Sequence, residues 1–140
     1  MAKRGVSLDR ILRVRTLQLG LVRAAEEQAR EKVASEDALR HRIAQLAQNV
    51  APEPSAVEAF SFIAAAHFRD RLHQSAVAAE SRLHAATRSL ERANEATREA
   101  RRDQSAIEKL IARDDQAAVI KAMRALEEAP ATRKNRHDPC

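Results

Sequence analysis

Two of the four prolines in this chain of 140 residues, Pro52 and Pro54, stand two positions apart in a sequence that otherwise has a helical pattern. Proline has no backbone N–H and its ring clashes with the preceding turn, so a helix cannot continue through this point. Ser55 and Glu58 follow in the S-x-x-E spacing of a capping box, in which each side chain accepts a hydrogen bond from a backbone amide. The pattern predicts a helix end, a short connection and a helix start, which form the corner of an αα-hairpin.

The outer boundaries of the two helices follow from similar signals. Ser7 is a suitable N-cap for the first helix, and Pro130 prevents continuation of the second. We expect residues 1–130 to form a single hairpin. The predicted segments are helix 1 (about 8–48), the turn (about 49–55), helix 2 (about 56–128) and a disordered basic tail (131–140).

The composition fits long helices better than a globular core. Thirty residues are alanine, 32% of residues are charged and 2% are aromatic. Alanine, arginine, glutamate and leucine are strong helix formers, whereas a compact core needs bulky apolar side chains to fill its volume. This profile is typical of a long helix or coiled coil. We therefore predict the all-α class and a long two-helix antiparallel coiled-coil hairpin.

Apolar residues recur in steps of three and four along both predicted helices, as they do where two helices share a seam. In helix 2 the steps alternate without a break through Leu72, Ala76, Ala79, Leu83, Ala86, Leu90, Ala93, Thr97, Ala100, Gln104, Ile107 and Ile111. In helix 1 the polar residues Arg15, Glu26 and Glu36 occupy some of these positions. In helix 1 the heptad spacing of the apolar residues is predicted to shift by one position between Val33 and Leu39. The residues before the shift are Leu8, Leu12, Leu19, Val22, Ala29 and Val33, and those after it are Leu39, Ile43, Leu46 and Val50.

Helix 2 is predicted to be the longer helix, about 110 Å against about 60 Å at the rise of an α-helix. Folding the chain about residue 53 places Ser7 near Glu99, so helix 2 projects beyond that point. The projecting part carries apolar residues on a helix face, and such a face favours a partner over water. These residues are Ile107, Leu110, Ile111, Val119, Ile120, Met123 and Leu126.

Motifs for catalysis or metal binding are not found in the sequence. It contains no glycine-rich phosphate loop, no G-x-S-x-G and no H-E-x-x-H, and no two of its five histidines stand three or four positions apart. Arg101 and Arg102 are flanked by acidic residues with no aromatic side chains between them, which favours a solvated helix face over a nucleic-acid site. No apolar run approaches the roughly 20 residues of a membrane span. We expect a cytoplasmic protein that is not an enzyme and uses no cofactor or metal.

Three stretches give the sequence its resemblance to a known family. The first is SLDRILRVRTLQLGLVRAAEEQA near the N-terminus, which precedes a corner at about residue 50. The others are AFSFIAAAHFRDRL and RLHAATRSLERANEATREARRDQSAIEKL in the second helix, with the basic tail ATRKNRHDPC at the end. Together they resemble the FliJ/YscO family, the coiled-coil stalk proteins of flagellar and type III export ATPases.

The resemblance implies a stalk similar to the central subunit of rotary ATPases, whose paired terminal helices enter a hexameric ring. The partners it implies are the hexameric export ATPase, the export-gate membrane protein and possible export chaperones, with no nucleic acid. Any association with the inner membrane would be peripheral and made through these partners. Candidate ring contacts at the terminal end are Arg10, Arg13, Ile107, Leu110, Ile111, Val119, Ile120, Met123 and Leu126. Candidate gate contacts near the corner are Phe62, Phe68 and Leu72.

Two alternatives stay open on the residues alone. The chain could be a coiled-coil adaptor or scaffold that homodimerises through the projecting part of helix 2. It could also be a basic helical nucleic-acid binder, since it carries a net charge of +5. Self-association that depends on concentration would favour the first alternative, and salt-sensitive binding to DNA would favour the second.

Overall fold

A computed structural model describes residues 2–50 and 59–130 of the chain. Two helices account for nearly all of this part, α1 (Ala2–Asn49) and α2 (Ala59–Glu128), and they pack against each other. At the rise of an α-helix they are about 72 Å and about 105 Å long. The predicted all-α helical hairpin is confirmed. Neither described helix combines the length and apolarity needed to cross a membrane.

The helix boundaries differ from the prediction at the N-terminal end. Helix α1 begins at Ala2, so Ser7 lies inside the helix and is not its N-cap. The residues before Ser7 include alanine, lysine and arginine, which favour helix, and Gly5 alone does not stop it. The end of α1 at Asn49 agrees with the prediction. The rest of the predicted turn after Val50, with Pro52, Pro54 and the capping box, lies outside the described residues.

Contacts between the helices fix the register of the hairpin. In each pair of residues the two numbers add to between 118 and 120, which shows that the helices run antiparallel. The pairs are Arg15–Asp103, Thr16–Gln104, Val22–Thr97, Glu36–Arg82, Arg40–Glu80 and Val50–Arg69. The predicted register, with numbers adding to about 106, is wrong by about 13 residues. The start of α1 at Ala2 therefore lies opposite Ala117, well beyond the predicted Glu99.

The seam of α2 follows the prediction residue by residue. Each of its twelve predicted positions from Leu72 to Ile111 is buried or half-buried, whereas most other residues in this stretch are exposed. Ala79 is completely buried, and Ala86 and Thr97 are nearly so. The alternation of three and four steps therefore identifies the face of α2 that packs on α1.

The seam of α1 continues without the predicted shift. Leu39 and Leu46, on the shifted ladder, are exposed, whereas Glu36 and Arg40 hold the unshifted positions and are buried or half-buried. Both polar residues have partners on α2, and these partners make the polar positions compatible with the seam. An unbroken spacing thus runs along α1 from Leu8 to Ile43, with Leu19 and Ile43 as its buried apolar residues.

Small and polar residues make up much of this seam. Among the described residues, two of the four buried apolar residues are alanines, Ala79 and Ala86. Two polar residues, Glu36 and Thr97, are also buried. The Thr97 hydroxyl donates to the carbonyl of Ala93 at 3.0 Å and lies 3.5 Å from the carbonyl of Val22 across the seam. Small side chains allow close packing of the helices, while each of them buries little apolar area. The hairpin is therefore a narrow rod held together over a long contact.

Candidate partner-binding surfaces

The last eleven residues of α2, 118–128, extend beyond the start of α1, and we call them the overhang. Four large apolar side chains on it are exposed by between 43% and 76%: Val119, Ile120, Met123 and Leu126. Ile107 and Ile111 do not belong to this surface, because both are half-buried in the seam with α1. Leu110 is exposed but stands beside the seam within the paired length. The prediction of an exposed apolar projection holds for the four overhang residues and is wrong for Ile107 and Ile111. Leu110 is exposed as predicted but does not project.

The apolar residues of the overhang lie on the side of α2 that faces away from α1. Continuing the seam spacing past Ile111 leads to small or charged residues, namely Asp114, Ala118, Lys121 and Ala125. Val119, Met123 and Leu126 fall between these positions on the opposite side of the helix. In a straight α-helix, positions seven residues apart differ by about 20° around the helix axis. Over the length of the overhang this rotation is too small to bring these three residues to the seam. A longer α1 would therefore leave this face uncovered, which marks it as a separate surface.

Helix α1 carries an outer apolar stripe that the sequence analysis missed. Val14, Leu17 and Leu21 are separated by three and four positions and are all exposed, on the side of α1 that faces away from the seam. Leu21 is 72% exposed, whereas Leu19, two positions earlier, is 4% exposed in the seam. The signal was present in the sequence, because the same spacing repeats on a second face of the helix.

The predicted basic residues of α1 lie behind the overhang. Arg10 and Arg13 are exposed, and the register places them opposite Lys109 and Ala106. Arg10 is therefore about 13 Å along the axis from the start of the overhang. Arg15, in contrast, forms a salt bridge with Asp103 of α2 at 3.0 Å, so its charge is paired within the hairpin. The terminal end thus combines an apolar tip with arginines set back from it.

The corner end presents a second apolar group. Phe62, Ile63 and Phe68 are exposed by between 48% and 69%. Leu72, the third predicted gate contact, is half-buried in the seam. Ile63 was missed by the sequence analysis because the prediction considered mainly aromatic residues there. Between Phe62 and Val119 the helix spans about 85 Å, so the two apolar groups are far apart.

An ionic cluster around the buried carboxylate of Glu36 joins the helices in the second half of α1. The carboxylate of Glu36 accepts from Lys32 Nζ at 2.7 Å and from Arg82 Nε of α2 at 3.3 Å. The hydrogen bond from Lys32 lowers the pKa of Glu36 below its ordinary value of 4.5, and the positive charges of Lys32 and Arg82 act in the same direction. Burial alone would raise this pKa, but the two basic partners outweigh it. Glu36 is therefore held as a carboxylate in the seam.

The arginine-rich face of α2 is partly neutralised by its own acidic residues. Arg98, Arg101, Arg102 and Lys109 line an open concavity of about 570 Å³. Glu95 contacts Arg102 at 3.0 Å and Arg98 at 3.7 Å. This arrangement favours the predicted solvated face over a phosphate-binding track. Within residues 2–50 and 59–130, no three His, Cys, Asp or Glu side chains are grouped as metal ligands would be.

Comparisons with protein-family models, curated proteins and solved structures gave no match to this chain. The resemblance to the FliJ/YscO family therefore depends on the sequence stretches quoted above. The structure adds a description of the surfaces that a partner could bind, and these are the overhang, the outer apolar stripe of α1 and the corner group.

Proposed function

We propose that this protein is a non-enzymatic coiled-coil stalk that couples the hexameric ATPase of a flagellar-type (type III) export apparatus to its export gate. The resemblance to the FliJ/YscO family supplies the identity of these partners. The observation that carries the proposal is the overhang, a single helix that projects past its partner with an apolar face turned outward. A helix of this kind is stabilised by a protein surface around it.

The terminal end is the part that enters the ATPase ring. Val119, Met123 and Leu126 supply apolar contact, which gives affinity when it is fully desolvated. Arg10 and Arg13 lie behind the tip, where they meet acidic loops at the mouth of the ring and guide the approach. Ile107 and Ile111 stabilise the hairpin instead, since their side chains pack in the seam.

The corner end is the part that contacts the export gate. Phe62 and Phe68 are the exposed aromatic residues there, and Ile63 extends the same apolar group. Leu72 is left out of the contact because it packs in the seam. A separation of about 85 Å between the two ends lets one molecule hold both partners at once. The protein then works in the cytoplasm, at the inner-membrane apparatus through these partners, where export chaperones are also proposed to bind.

Replacing Val119, Met123 and Leu126 with glutamine in the full chain tests the ring contact. Glutamine is a strong helix former, so the hairpin should keep its helix content and melting temperature. Stimulation of ATP hydrolysis by the purified hexameric ATPase should fall to near the rate of the ATPase alone. In the matched control, Phe62→Gln with Phe68→Gln, stimulation should persist while binding to the gate is lost.

Two results would contradict the proposal. Full stimulation by the triple overhang variant would mean that another surface engages the ring. No stimulation by the natural chain at any concentration would reject the stalk function itself and favour the scaffold alternative.

A further inference from the structure

We propose that the end of α2, the overhang together with the six residues before it, also binds a second copy of this chain, forming a reversible antiparallel dimer through residues 112–127. This inference concerns the same apolar face as the proposed ring contact, so one molecule can make only one of the two contacts at a time. Its evidence is the face and the charges of residues 112–127 and does not depend on the export function. The face is a heptad ladder of its own, formed by Gln116, Val119, Met123 and Leu126. Every residue from Ala112 to Glu128 is exposed in the single chain, so a second helix has access to it.

Charge complementarity selects a second copy and its direction. The residues that flank the ladder on one side are Arg113, Ile120 and Glu127, seven positions apart. In an antiparallel pair of helices these flanking positions face each other, so Arg113 of each copy meets Glu127 of the other and the two Ile120 side chains meet at the centre. Both charged residues are exposed in the single chain. The pairing is self-complementary, as a two-fold symmetric dimer requires.

A parallel pair of the same helices lacks this match. In that arrangement the flanking residues on opposite sides of the ladder face each other, which sets Asp115 against Ile120 and Ala122 against Glu127. Neither pair joins opposite charges. The same ladder therefore supports the antiparallel dimer over the parallel one.

The size of the interface predicts reversible association. Only Val119, Ile120, Met123 and Leu126 from each copy supply bulky apolar area, far less than an obligate dimer buries. We expect monomers at about 1 µM and mostly dimers at about 100 µM, since a small interface must offset the entropy lost on association. Sedimentation equilibrium over this range of protein concentration measures the dissociation constant of the dimer directly.

Charge reversal tests the pairing. Arg113→Glu places two like-charged pairs in each dimer and should raise the dissociation constant by about tenfold or more, and Glu127→Arg should do the same. The double variant Arg113→Glu/Glu127→Arg restores opposite charges and should return the constant to near the natural value. The matched control is Arg88→Glu, an exposed arginine in the paired length of α2, which should have no effect.

Disulfide formation tests the direction. In a Cys140→Ser background, Ile120→Cys should form a covalent dimer rapidly on oxidation, because the two positions meet only in the antiparallel arrangement. Lys121→Cys, which points away from the ladder, should cross-link slowly and serves as the control. A monomer at all concentrations, a dimer that does not respond to charge reversal, or equal cross-linking at the two positions would overturn the proposal. A failure of the export function would instead appear as absent ATPase stimulation with the dimer intact.

Discussion

The paired length of the hairpin and the overhang use apolar residues in opposite ways. Among the described residues of the seam, alanines and two polar residues are buried, and only Leu19 and Ile43 are large apolar side chains with little exposure. On the overhang every large apolar side chain is exposed. Burial of a large side chain stabilises the fold far more than burial of alanine. Much of the apolar area that could stabilise the hairpin therefore stays exposed to water. The difference indicates that the seam sets the shape of the molecule, whereas the large apolar residues of the overhang stay accessible in the single chain.

The largest difference in stability is expected between substitutions of two leucines that stand two positions apart in α1. Leu19→Ala removes one of the few large buried side chains and should lower the free energy of unfolding by about 2–4 kcal/mol. Leu21→Ala, on the outer stripe, should change it by less than about 0.5 kcal/mol. Urea unfolding followed by circular dichroism measures both. Equal losses would mean that the outer stripe is already packed within the single chain.

The ionic cluster in the seam should make stability depend on pH. Because the folded-state pKa of Glu36 is lowered, its contribution is complete above the unfolded-state value near 4.5 and is lost as pH falls through the lower folded-state pKa. Glu36→Gln should therefore unfold more easily at neutral pH and should lose part of the fall in stability expected as the pH drops below about 4.5.

Glu31→Gln is the control for this change, since Glu31 is exposed on the same helix. Its pH profile should follow that of the natural chain. Unfolding midpoints measured at a series of pH values compare the three proteins. Identical profiles for all of them would show that Glu36 does not stabilise the seam through its charge.

The smallest expected effect is at a glycine of α1. A Cβ added at Gly20 would meet nothing within 4 Å, and the residue lies well inside the helix. Gly20→Ala should raise the free energy of unfolding by about 0.5–1 kcal/mol, because alanine favours helix and restricts the unfolded chain. Gly5→Ala, near the start of α1, should raise it less. A loss of stability at position 20 would contradict the open surroundings found there.

The sequence predicted the hairpin and the seam of α2 from Leu72 to Ile111, because the spacing of three and four repeats there with few polar interruptions. It missed the unbroken seam of α1, since Glu36 and Arg40 are polar and their partners on α2 are adjacent only after folding. The register was wrong because the prolines were taken as the midpoint of the hairpin, whereas the contacts centre it about six residues later. That error placed Ile107, Leu110 and Ile111 on the projecting part, although Val119, Ile120, Met123 and Leu126 were placed there correctly.

The change from two helices to one near Ala117 has a mechanical consequence. A rod resists bending more steeply as its cross-section grows, so the paired length is stiff and the overhang is compliant. A sideways load on the tip therefore curves the chain where α1 begins and leaves the rest nearly straight. The overhang can therefore tilt together with a bound partner, while the corner end of the hairpin, about 85 Å away, keeps its orientation.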